Sequence, residues 1–285
     1  METITIHKAS GNSYSVRKKI STTLRERNAY AIPLSQVLTR EFRKLVNDEI
    51  SKLQRSGVLK LFSNRSGRIR KQEVIIEKAI SLSSIKRIVD RIVKYGAKVR
   101  DRLGKKYLKS ISKESWSLDE NANDAFVARK RKILSDTLQR YGKDLDDTIR
   151  DVLATAATET RRPSISEISA RIRAAALGLS GILGENVAKR IAETEVASFQ
   201  NFGAYNAYKI AKVKKIQWVS IIDGRTRPGK RAVPRADHIA INGAEVDLGS
   251  PFDMPITNTP MLYPGDPKGS VHDIVNCRCT IIPAR

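Results

Sequence analysis

KKIQWVSIIDGRTR, residues 214–227, is where the hydrophobic period of this chain changes from that of a helix to that of a strand. In an extended chain Ile216, Trp218, Ser220 and Ile222 share one face, and Gln217, Val219 and Ile221 share the other. Asp223-Gly224 is turn chemistry, and Arg225-Thr226-Arg227 follow it. Further on come His238, the pair Asn242-Gly243, the loop Tyr263-Pro264-Gly265-Asp266-Pro267, and Asn276-Cys277-Arg278-Cys279 running into Thr280-Ile281-Ile282. Asn-Gly within Ile239–Val246 predicts a hairpin with a type I′ turn. Both cysteines and two of the three histidines lie in this last quarter.

Everything upstream reads as helix. Leu38, Phe42, Leu45, Val46, Ile50 and Leu53 keep helical spacing, which predicts a helix from Leu34 to about Leu61, with Ser35 placed to cap it and Gly57 near its end. Ile85, Ile88, Val89, Ile92, Val93 and Val99 mark the apolar face of another helix. Beside that face runs a nearly one-sign stripe of Arg87, Arg91, Lys94, Lys98, Arg102 and Lys105. Like charges three or four residues apart repel, so the stripe points to a partner that neutralises it. Helical spacing returns from Phe126 to Ala156. Ser164-Ile165-Ser166-Glu167 is a capping box that opens the next helix. A last helix spans about Glu185 to Ala211, with Thr194, Phe199, Phe202 and Tyr205 facing a core and Gly203 weakening it. The expected fold is therefore α+β: a mostly helical N-terminal half, then C-terminal helices packed on a small antiparallel β-sheet. Residues 1–33, closed by Pro33, read as an extended arm. Residues 34–120 read as a basic helical region, and the polar stretch 112–124 as its boundary with a C-terminal domain, 121–285.

The 285 residues carry 53 Lys+Arg against 30 Asp+Glu, a formal charge of +23. Most of the surplus sits in residues 1–110, which hold 27 basic and 9 acidic side chains. Charge of this size speaks of partners rather than of fold; nucleic acid, double-stranded DNA in particular, heads the polyanions it suits, ahead of an acidic protein surface and an anionic membrane. Aromatic residues make up 6% of the chain and are not interleaved with the stripe. The expected contact is thus with phosphate and carries no sequence reading. Trp116 and Trp218 read as core or interface anchors. No apolar run approaches the roughly 18 residues of a membrane span, so no membrane partner is expected. The start lacks the layout of a secretory signal, and cysteines one residue apart are a poor disulfide pair. Synthesis in a reducing cytoplasm is the expectation.

The order of elements from Ser164 to Pro283 resembles the phage head-morphogenesis family typified by the F protein of phage Mu. The resemblance rests on the helix with Ala188 to Glu195, on Lys215-Ile216-Gln217-Trp218, on Asp223-Gly224-Arg225-Thr226-Arg227, on His238 with Gly243 following, on Tyr263-Pro264, and on Asn276-Cys277-Arg278-Cys279. It implies that residues 121–285, with a core of 164–283, form a head-morphogenesis domain. It further implies a minor capsid protein of a tailed phage, near the portal inside the head, made in the host cytoplasm. Such a protein would meet portal, capsid or scaffold proteins and packaged DNA, and would act in head assembly and in DNA packaging or ejection. The toxin domain that some members carry beyond the Cys-Arg-Cys element is not expected here, where six residues follow Cys279. Some members place paired cysteines after the Asp-x-Arg-Thr segment and a histidine just before the final Cys-x-Cys. This chain lacks that first pair, and His272 stands five residues before Cys277.

Two readings of the Cys-x-Cys region stand side by side. His238, His272, Cys277 and Cys279 offer four zinc donors, or else the strand Cys277–Ile282 buries its cysteines as small hydrophobes and no cofactor is bound. Asp223, Arg225, Arg227 and His238 offer a polar cluster for general-base chemistry, or else the arginines pair with Asp223, Asp237 or Asp266 and fix the loops. No phosphate-cradling glycine loop, paired carboxylates or nucleophile elbow appears, so no enzyme is expected. The alternative is a metal-dependent nuclease built on Asp223, His238, Cys277 and Cys279. A cellular nucleic-acid-binding protein unconnected with virions is a third class.

Overall fold

The computed structural model describes residues 13–63, 80–161, 163–178, 181–222, 226–227 and 234–284. In chain order these form α1 (Ser13–Arg55), α2 (Val58–Ser63), α3 (Leu82–Ile111), α4 (Glu120–Thr158), α5 (Ile165–Leu177), α6 (Glu185–Ile210), β1 (Lys215–Val219), β2 (Glu245–Asp247), β3 (Phe252–Asp253), β4 (Pro260–Met261), α7 (Val271–Ile274) and β5 (Thr280–Pro283). The fold is α+β, with the long helices first and the strands gathered in the last quarter. Among the described residues no helix is long and apolar enough to cross a membrane.

Two compact units divide the chain, and neither is contiguous. One comprises Met1–Leu34, Ile92–Lys130 and Arg190–Arg285; the other comprises Ser35–Arg91 and Arg131–Lys189. This differs from the expected split at residues 112–124. The loop there links the end of α3 to the start of α4, and both flanks belong to the same unit. Polar composition marked a loop correctly, but a loop is not a boundary when the helices on either side share a core. Trp116 in that loop is half-buried, with its ring against Gly104 of α3.

The extended arm, expected over residues 1–33, is corrected over its described part, while residues 1–12 lie outside the described residues. From Ser13 onward the chain is helical and passes through Pro33 without a break. Proline removes one N–H and crowds the carbonyl four residues back, costing about 3 kcal/mol in a helix interior. Ala31, Leu34 and Leu38, all nearly inaccessible, bring burial on both sides that outweighs this cost. Ser35 is consequently interior, where its carbonyl accepts from Thr39 Oγ1 at 3.0 Å, and caps nothing. The expected helix to Leu61 breaks at Ser56-Gly57, and α2 continues after it.

In the second unit the apolar residues expected to face inward do so, from Leu38 to Leu53 on α1 and from Leu134 to Leu153 on α4. The capping box is present on α5: Glu167 N donates to Ser164 Oγ at 3.2 Å, and Ser164 N donates to the Glu167 carboxylate at 2.6 Å. Hydrogen bonds from Ser164, and then from Arg161, hold Glu167 down at about 2. Replacing Ser164 by Ala should cost about 1 kcal/mol in denaturant unfolding at neutral pH. Because Glu167 is depressed, its contribution is present above 4.5 and fades as pH falls through 2. Wild type should therefore lose stability relative to Glu167→Gln over that window.

The first unit holds the strands. β1 is central, antiparallel to β2 (Ile216 opposite Val246) and to β5 (Trp218 opposite Ile281), giving the order β2-β1-β5. β3 and β4 form a separate antiparallel pair. Ile216 and Trp218 are fully buried, as the alternation requires. The predicted hairpin is not there. Residues 238–243 are turns, and β2 pairs with β1 rather than with residues 239–241. Asn242 serves the sheet differently: its side-chain oxygen accepts from Ser220 N at 2.8 Å, while Gly243 N donates to Trp218 O at 2.8 Å. α6 is unbroken through Gly203, whose missing side chain has a packing reason. A Cβ there would lie 2.6 Å from the Arg100 carbonyl oxygen of α3, so the glycine permits a close helix crossing.

Candidate functional site

α6 carries a polar stripe that is buried although it lies on a helix: Thr194, Ser198 and Asn201, at i, i+4 and i+7. Each residue grips the loops that follow β4. Thr194 Oγ1 accepts from Asn276 N at 3.0 Å, and Ser198 Oγ donates to Gly265 O. Asn201 Nδ2 donates to Pro264 O at 2.9 Å and to Cys279 O at 3.1 Å, while its oxygen accepts from Thr280 Oγ1 at 3.0 Å. Gly265 sits at φ +81°, and a Cβ on it would come within 2.9 Å of Ser198 Cα. Conformation and close approach thus both demand glycine. Asp266 closes the same loop by accepting from Leu262 N and Lys268 N, each at 3.0 Å.

The short α7 begins at the cap Ser270, whose side chain accepts from His272 N at 3.2 Å. Past it Asn276 takes a left-handed conformation, φ 57°, one that asparagine tolerates better than most residues. That turn sends Cys277 and Cys279 inward while Arg278 stays half-exposed. β5 starts only at Thr280, so the cysteines precede the strand rather than alternate along it.

Both sulfurs face His238. Its Nδ1 lies 3.6 Å from Cys277 Sγ and 3.4 Å from Cys279 Sγ. On the ring's far side Nε2 lies 3.3 Å from the Asp273 carboxylate, which also accepts from Thr257 Oγ1 at 2.6 Å and Thr259 Oγ1 at 3.3 Å. A carboxylate only accepts, so Nε2 carries a proton and Nδ1 is the nitrogen presented to sulfur. Ser220 Oγ accepts from Trp218 Nε1 at 3.2 Å and donates to His238 O, and Trp218 packs edge-on to the imidazole, ring centres 5.9 Å apart.

Burial alone would lower the His238 pKa. Its hydrogen bonds to Asp273 and to Cys279 nevertheless raise it to about 9. Cys279, which burial would push up, is held well below the ordinary thiol value by hydrogen bonds from Cys277 and His238 and by the imidazolium charge. Cys277 moves the other way, because its proton is shared with the Cys279 sulfur and burial penalises a second anion.

Of the four zinc donors read from the sequence, His238, Cys277 and Cys279 converge, their ligand atoms all within 4.8 Å of one another. His272 does not join them. It is exposed on α7, whose four residues turn Asp273 and Ile274 inward instead. Asp223 and Arg225 lie outside the described residues. Thr226 Oγ1 donates to Ile221 O, closing the chain after the strand. Arg227 donates to the carbonyls of Asp273 and Val275, and its own carbonyl accepts from His238 N at 3.0 Å. It therefore ties His238 to the α7 loop, and among the described residues it pairs with neither Asp237 nor Asp266. Asp237 instead accepts from Ile239 N and Ala240 N, both at 2.9 Å.

Sequence reading missed Asp273, Ser220 and Arg27. Arg27 of α1 is 3% exposed; it donates to Gln200 Oε1 at 2.9 Å and to Cys279 O at 3.3 Å. Burial lowers its pKa, with the neighbouring cysteines opposing that effect. A cavity of about 410 Å3 opens beside β5, lined by Thr23, Glu26, Tyr107, Tyr208, Ile281 and Pro283 among others, and none of the site residues read from the sequence borders it.

The basic stripe on α3 is partly spent inside the protein. Arg87 and Arg91 both pair with Glu41 of α1. Lys94, Lys98, Arg102 and Lys105 are exposed, with Arg102 over the Tyr30 ring at 5.9 Å. Among the described residues the three lysines form no ion pair.

No protein-family model matches the chain, and no solved structure matches it. The chain is similar to the uncharacterized protein YqbB of Bacillus subtilis (strain 168), 31% identical over 97 residues. That similarity covers 34% of this chain and 30% of the Bacillus protein, so less than a third of the relative's length is spanned.

Proposed function

We propose that this chain is a minor head protein of a tailed phage, placed near the portal, that contacts packaged DNA without reading its sequence and takes part in head assembly. One observation carries the reading. Residues on which the family resemblance rests, Trp218, Arg227, His238, Cys277 and Cys279, are scattered over some 60 positions yet belong to one connected set of contacts. A motif that fixes one local arrangement is what shared ancestry of that domain would preserve. The burial of His238, Cys277 and Cys279, each under 5% exposed, favours a structural use of the cluster over hydrolysis of a bulky phosphodiester.

DNA contact falls to the exposed part of the stripe. Non-specific affinity should decline with salt at about 0.9 per phosphate neutralised on a log–log scale. Reversing Lys94, Lys98 and Lys105 to Glu should flatten that slope by roughly 2–3, whereas reversing Arg87, already paired with Glu41, should change stability more than slope. Fluorescence titration across salt concentrations reads both. An unchanged slope in the triple variant would remove the stripe as the contact. Mass spectrometry of purified particles tests location: the protein should be present in few copies per head, and its absence from mature particles would overturn the reading.

A further inference from the structure

We propose that His238 Nδ1, Cys277 Sγ and Cys279 Sγ are the protein ligands of a transition-metal site of the zinc class. The argument is geometric and stands apart from the head-protein reading, so a particle lacking this chain leaves it untouched. In a tetrahedral zinc site with Zn–N of about 2.0–2.1 Å and Zn–S of about 2.3 Å, ligand nitrogen and sulfur lie roughly 3.5 Å apart. The two nitrogen–sulfur distances here are 3.4 and 3.6 Å. One thiol–imidazole hydrogen bond would bring a single sulfur to that distance; two sulfurs converging on the same ring nitrogen, with all three atoms within 4.8 Å of one another, outline a coordination sphere.

The surroundings agree. A metal-bound histidine almost always gives its other ring N–H to a carboxylate or carbonyl, which fixes the tautomer and aims the lone pair. Asp273, 0% exposed and steadied by two threonine hydroxyls, occupies that place. Two thiolates with one imidazole select a borderline-soft ion over magnesium or calcium. Ser220 is not the fourth ligand, since its hydroxyl is engaged by Trp218 Nε1 and the His238 carbonyl. The described residues supply three donors, and a tetrahedral ion would take its fourth ligand from outside this set. Bound there, the ion links positions 39 and 41 residues apart, closing the turns after β1 onto the start of β5.

The full chain, purified without chelator from zinc-supplemented culture, should carry about one zinc by elemental analysis. After zinc is removed, cobalt(II) should give thiolate-to-cobalt charge transfer and the intense visible bands of a tetrahedral ion. His272→Ala should keep both signals, and Cys279→Ser should lose them. Asp273→Asn should bind at the same stoichiometry with affinity lower by about 10–100-fold in competition with a chromophoric chelator. Folding of each variant is checked by circular dichroism, and the cobalt titration of wild type decides even if Cys279→Ser does not fold. Folded wild type with far less than one equivalent of metal and no cobalt bands overturns the proposal. So does a disulfide between Cys277 and Cys279 in protein that takes up no metal, or loss of binding in His272→Ala.

Discussion

Replacing Lys130 by Met should destabilise the protein by about 3–5 kcal/mol, the cost of leaving a buried carboxylate without its partner. Lys130 on α4 and Glu195 on α6 meet at 2.9 Å with side chains 1% and 5% exposed. Neither charge has water to fall back on once the other is gone. The pair is not for that reason a large net source of stability, because desolvating both ions offsets much of their attraction. The double variant Lys130→Met/Glu195→Leu should therefore recover most of the loss. Urea unfolding of the two single variants and the double gives the coupling directly. A loss below about 1 kcal/mol in Lys130→Met would mean that Glu195 finds solvent or another partner. Glu195 also adjoins Thr194, which holds Asn276 N. Hydrogen exchange at Asn276 and Cys277 should accelerate in Lys130→Met and return in the double variant.

Trp218→Ala should cost a comparable amount, about 3–5 kcal/mol, through lost burial and the cavity left behind. The indole is fully buried, packs edge-on against Phe252 with ring centres 5.3 Å apart, and donates to Ser220 Oγ. Its removal frees the hydroxyl that holds the His238 carbonyl. Thermal unfolding should fall accordingly, and the His238 imidazole NMR signals should broaden or shift. Trp218→Phe should keep a large part of the stability while losing the hydrogen bond to Ser220. If Trp218→Ala instead unfolds within about 1 kcal/mol of wild type, the strand is not the centre of its sheet.

Legibility in the sequence followed the range of the forces involved. The capping box at Ser164, the inward faces of α3 and α4, and the strand at Ile216–Val219 are local patterns, and each is where its spacing put it. Pro33 misled because helix breaking is a local tendency, whereas the helix through it rests on burial along both adjoining turns. Asn242-Gly243 misled for a related reason. The dipeptide suits a tight hairpin, but here Asn242 caps Ser220 N and Gly243 bonds to Trp218 across the sheet. The interleaved units left no sign in composition, since their limits fall inside continuous helices. In the site, histidine and the two cysteines were visible as residue types. The roles of Asp273 and Arg27 were not, because an acid near a short helix and an arginine 252 positions from Cys279 announce nothing until the chain folds.

The carbonyl groups at Cys279 and Ile281 point away from β1, on the rim of the three-stranded sheet. Arg27 and Asn201 take the first, and Tyr208 Oη takes the second at 3.2 Å. Unsatisfied strand rims invite another polypeptide to add itself, the first step toward aggregation and domain exchange. Here that rim is stoppered by side chains from α1 and α6 before a second chain can arrive. A second polypeptide would find these two carbonyls already taken and could not use them to add itself along β5.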